Sequence, residues 1–161
     1  MKSGERVAAA REPGDAPWTA HIRRMDDALA NGDVSLAIRA WQQAYGAALV
    51  SSRWEGLVEV GDSLLRIGQT TKLAQASTTI ARSAYVTALF RAREDGSLDG
   101  VLRATEAFAA LGDREVVASS IRIAEDLAAS ADSQARQRVR ELAERLGSQP
   151  LETRKGDLEI F

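Results

Sequence analysis

Gly32-Asp33-Val34-Ser35-Leu36-Ala37-Ile38-Arg39-Ala40-Trp41-Gln42-Gln43-Ala44 is the stretch on which the reading of this chain turns. Glycine accepts the left-handed backbone that closes a helix, and an aspartate directly after it can cap the first free amides of the next one. After the cap, Val34, Ala37, Ile38, Trp41, Tyr45 and Ala48 recur at the helical period. Before it, Trp18, Ile22, Met25 and Leu29 follow one another at steps of four, three and four, which puts them on one stripe of a preceding helix. The stretch therefore predicts two helices folded back on each other at Gly32.

The same pattern continues outward along the chain. Pro13, Pro17 and Pro150 lie at the two ends, so nothing from Trp18 to Gln149 removes a helical hydrogen bond by lacking an N–H. Alanine, the best helix former, supplies 29 of the 161 residues. Further stripes are Trp54, Leu57, Val60, Gly61 and Leu64; an Ala-rich run from Thr71 to Arg93; Leu98, Val101, Leu102, Thr105 and Phe108; Val117, Ile121, Ala124 and Ala128; and Ala135, Val139, Leu142 and Leu146. Seven helices are expected. Taking Gly32, Gly68 and Gly112 as turn glycines pairs the first six into three hairpins separated by steps of 36 and 44 residues. Small residues at Ala37, Gly61 and Ala124 are expected to let neighbouring helices nest.

Composition narrows the function classes. The chain has no cysteine and a single histidine, His21, which removes disulfide and thiolate chemistry and leaves no basis for a His-based zinc site or a Ser/His triad. With 21 basic against 23 acidic residues, it lacks the charge excess of a protein that binds nucleic acid by neutralising many phosphates. No apolar run approaches the roughly 18 residues of a membrane span, and the amino-terminal region lacks a signal peptide's apolar segment, so a cytoplasmic protein is expected. No glycine-rich phosphate loop is present, and no cofactor is expected.

On these residues the chain resembles the tetratricopeptide repeat family. The stretch from Gly32 to Ala44, with Ala37 and Ala44 bracketing the Trp41 ring, looks like the turn and second helix of such a repeat. The helix carrying Leu57, Val60, Gly61 and Leu64 is similar to a first helix. Departures are Met25 where a small residue is usual, Ser77 where a ring is expected, and the 44-residue step against a period of about 34. The resemblance implies an all-α fold of antiparallel helical hairpins stacked as a short right-handed solenoid of about seven helices. It also implies a protein–protein interaction scaffold or adaptor, not an enzyme, that holds a peptide or helix in a groove lined by the first helices. Bacterial chaperones of secreted proteins, similar in length and repeat number, are one form of that role.

Carried onto this sequence, the groove would present Asp26, Glu55, Val58, Asp62, Leu65, Arg66, Asp99, Leu102 and Glu106. Acids outnumber bases there, so the expected guest carries Lys or Arg with apolar anchors, and a carboxylate ligand would be repelled. On this reading Asp62→Lys weakens partner binding and changes stability by no more than about 0.5 kcal/mol.

A competing local pattern is Asp95, Ser97, Asp99, Gly100 and Glu106, which fits the spacing of a calcium loop, with Gly100 at the sharp turn. Against it stand the missing second loop, the cation at Arg103, and an apolar stripe that already begins at Leu98. A helix starting at Leu98 with Ser97 as its cap accounts for the same residues without a metal. The tryptophans Trp18, Trp41 and Trp54 read as core rings. Arg136, Arg138, Arg140 and Arg145, alternating with Glu141 and Glu144, read as a solvated helix capping the array. The expected organisation is a disordered segment 1–15, a helical repeat domain 16–147 and a flexible tail 148–161. That tail's apolar finish, Leu158, Ile160 and Phe161, is either frayed or adhesive; an adhesive end would cover the groove of its own chain or insert into a second copy, making a homodimer.

Overall fold

The computed structural model describes residues 15–148. Among them it contains seven helices and no strand: α1 (Thr19–Ala30), α2 (Val34–Ser51), α3 (Trp54–Thr70), α4 (Ala74–Glu94), α5 (Leu98–Ala110), α6 (Arg114–Ala129) and α7 (Ser133–Ser148). Apart from Asp15 and Ser148, the terminal segments 1–15 and 148–161 lie outside the described residues, as does the apolar ending Leu158, Ile160 and Phe161. No helix among the described residues is long and apolar enough to cross a membrane.

Turns of two or three residues join the helices, so each helix folds back against the one before it. Each helix packs on its neighbours in sequence, and α1 with α3, α3 with α5 and α5 with α7 make a further set of contacts. The odd-numbered helices thus form a row of their own.

Local chemistry sets most of the turns as expected. Gly32 and Gly112 take φ of +74°, a left-handed conformation that costs glycine nothing. Asp33 and Asp113 then accept hydrogen bonds from the amides of Leu36 and Val116. Gly68 corrects the expectation for the middle hairpin. It lies inside α3, which runs on to Thr70, and it is buried where a Cβ would come within 2.9 Å of the Ser77 Cβ. Threonine hydroxyls close this turn instead, Thr71 Oγ1 donating to the Ile67 carbonyl at 2.8 Å and accepting from the Leu73 amide. With the turn moved to 71–73, the second helices begin evenly spaced at Val34, Ala74 and Arg114. The uneven glycine steps arise because Gly68 is a contact glycine and not a turn glycine.

Close approach of helices is the rule in the core. Ala37 and Ala124 are fully buried. A Cβ on Gly61 would collide with the Tyr85 ring, lying 2.9 Å from its Cδ1 and nearer still to Cε1, so only glycine lets α4 lay that ring across α3. Gly56 takes the Trp18 ring in the same way, and Gly100 sits between Ala92 and Trp54. Tyr85, not Ser77, is the large ring of α4. It meets Phe108 edge to face at 6.0 Å, and burying a ring of that size contributes about 2–3 kcal/mol. The Trp41 indole donates to the Val60 carbonyl at 2.8 Å, so its one polar atom is satisfied inside the core.

Candidate functional site

The face presented by the odd-numbered helices carries most of the expected groove residues, and their charges are arranged as a ladder. On α1, Asp26 receives a bidentate hydrogen bond from the Arg66 guanidinium of α3, both contacts at 3.1 Å. Midway along α3, Asp62 accepts from Arg103 of α5. On α5, Asp99 pairs with Arg138 and Glu106 with Arg145, both on α7. Each rung joins residues 39 to 41 positions apart, so each ties one odd helix to the next.

This overturns the expectation of a net acidic groove. The acids named from the sequence are held by guanidinium groups, because stacking brings each arginine over from the following odd helix. Arg138 and Arg145, read as solvent-facing charges of a cap, are two of those partners. Glu55 is the exception in origin, pairing at 3.2 Å with Arg53 just before its own helix. Asp62 is bound more firmly than the others, since it also accepts the Tyr85 hydroxyl at 2.6 Å. Burial, together with the carboxylate at its hydroxyl, pushes the Tyr85 phenol far above its ordinary pKa; Arg103 acts weakly in the opposite sense.

The apolar groove candidates divide. Val58 is 2% exposed and belongs to the core, a correction that follows from α3 turning this position towards its packed neighbours. Leu65 is half-buried against the same core. Leu102 is buried but reaches the floor of an open cleft of about 430 Å³ between α3, α5 and α7. Trp54 and Leu142 complete its apolar surface, and the Asp99–Arg138 and Glu106–Arg145 pairs stand along its walls. Glu141 also lines it, and this carboxylate accepts from the Gln137 amide at 3.0 Å rather than from an arginine. Asp26, Glu55, Val58, Asp62, Leu65 and Arg66 do not line this cleft.

The calcium pattern does not come together as a loop. Asp95 is the cap residue just after α4, Gly96 makes the turn with φ of +65°, and Ser97 caps α5 by accepting from the Gly100 amide at 3.1 Å. Gly100 lies within α5, packed on Trp54 and Ala92, so it makes no sharp turn. Asp99 and Glu106 project from α5 towards arginines. Among the described residues, no group of three or more His, Asp or Glu is placed to hold a metal ion.

No family model matches the chain, and no curated protein or solved structure is detectably similar to it. Sequence reasoning missed Arg103, Arg138, Arg145 and Tyr85. The signal was present as acid and arginine recurring about 40 residues apart, but it has meaning only once the odd helices are known to stack in register.

Proposed function

We propose that the chain is a non-catalytic, tetratricopeptide-like interaction module that holds a segment of another protein in the cleft between α3, α5 and α7. Support for the repeat reading comes from hairpins packed in series and from second helices that begin at even intervals. The observation that carries the binding reading is the cleft itself, where Trp54, Leu102 and Leu142 offer apolar contact between walls of fixed charge. Its guest is a peptide or helix with apolar anchors and a basic side chain. Glu141 is the acid there that has no arginine partner among the described residues and can meet that side chain by a charge-assisted bond.

The test is selection of peptides from a random library displayed on phage against the full chain, followed by repetition with Glu141→Lys. Enrichment of basic, apolar peptides by the parent, lost in a variant that melts at the same temperature, supports the assignment. Peptides that bind both proteins equally, or no enrichment at all, defeat it.

A further inference from the structure

The outer face of α4 combines little charge with three exposed large apolar side chains. Between Ala74 and Phe90 the helix has one charged residue, Arg82, and its guanidinium is turned sideways to the Asp113 carboxylate at 2.6 Å. The corresponding stretch of α2 exposes Arg39, Gln42 and Gln43, and that of α6 exposes Arg122, Glu125 and Asp126. On α4, Leu73, Ile80 and Phe90 are instead 41%, 43% and 54% exposed.

These residues fall on one stripe. Positions 73, 76, 80, 83, 87, 90 and 94 alternate steps of three and four, the spacing that keeps a seam of one helix facing another helix. The hydroxyls beside them are already satisfied within α4: Thr78 donates to the Ala74 carbonyl, Thr79 to Gln75, Ser83 to Thr79 and Thr87 to Ser83. Covering this strip would leave no hydroxyl donor without an acceptor, so the main cost of burying polar surface is absent. Next to Phe90 in the chain, Arg91 ties this end of α4 to α2 by donating to the carbonyls of Ala48 and Leu49.

We propose that this strip is the two-fold contact of a homodimer, in which α4 packs antiparallel on α4 of a second copy. The choice of occupant rests on self-complementarity. Exposed Lys72 stands at one end of the strip and exposed Glu94 at the other. An antiparallel pairing centred on Ser83 sets Lys72 of each copy opposite Glu94 of the second, and small Ala76 opposite large Phe90. A surface that matches itself when reversed is what an isologous interface requires. This contact lies on the opposite layer from the cleft and does not depend on the binding role assigned there.

Sedimentation velocity of the full chain over a range of concentrations tests the proposal. The wild type should sediment as a dimer, and Ile80→Asp/Phe90→Asp as a monomer with unchanged helicity and melting temperature. Lys72→Glu should weaken the dimer about tenfold, and adding Glu94→Lys should restore it. Because the chain has no cysteine, Ser83→Cys should form a covalent dimer under mild oxidation. A wild type that stays monomeric throughout overturns the proposal, as does a dimer that survives Ile80→Asp/Phe90→Asp or a Ser83→Cys variant that does not cross-link.

Discussion

The odd-helix face and the outer face of α4 solve the same problem, what to show to water, in opposite ways. The odd-helix face is dense in charge, and most of its charges are paired between helices: Asp26 with Arg66, Asp62 with Arg103, Asp99 with Arg138, Glu106 with Arg145. The α4 face has almost no charge and turns its hydroxyls back onto its own carbonyls. Helices that look alike by propensity therefore end with different capacities. One layer is stapled along its length, with a cleft at its far end, while the other offers a strip that none of the described residues covers.

The junction between the two layers is the most sensitive point. Gly61→Ala places a methyl group against the Tyr85 ring, forcing α3 and α4 apart, and is expected to cost about 3 kcal/mol by thermal or denaturant unfolding. Because the same ring carries the hydroxyl that holds Asp62, the central rung should loosen with it. A change below about 1 kcal/mol would mean that the two layers are not locked together here.

Next comes the contrast between rungs. Asp62→Lys removes the acceptor of Tyr85 and repels Arg103, so it should destabilise by about 2 kcal/mol rather than behave as a neutral surface change. Asp26→Asn breaks only an exposed pair, each partner more than two-fifths exposed, and should cost less than about 0.5 kcal/mol. Equal effects of the two substitutions would erase the distinction between an anchored rung and a solvated one.

The remaining effect is visible chiefly in its pH dependence. The folded protein holds the Tyr85 phenol protonated well past its ordinary pKa of 10.0, so the unfolded chain loses this proton first as pH rises. The stabilisation is complete below pH 10 and is lost above it. Tyr85→Phe should cost about 1 kcal/mol at neutral pH and flatten the decline in stability between pH 10 and 11. An unchanged alkaline decline would place its cause elsewhere.

Much of the fold was legible because its causes are local. Glycine-aspartate turns, the absence of interior proline and period-3.6 stripes fix where helices start and stop within a few residues, and Ser97 capping a helix from Leu98 followed from the same chemistry. Gly68 was misread because glycine serves two purposes, and sequence does not separate a left-handed turn from a place where a neighbour comes close. The site was less legible. Leu102 and Glu106 do line the cleft, but Val58 faces inward, and the acid count could not reveal arginines arriving from helices about 40 residues away.

By itself the sequence determined that the chain is helical, where it reverses, and that small residues at Ala37, Gly61 and Ala124 would sit at helix contacts, since these depend on backbone propensity and side-chain volume. Only tertiary structure decided which charges cancel, which ring covers Gly61 and which helix face is left bare. Those outcomes are set by the relative register of stacked helices, a property of distances in space that no local window of residues contains.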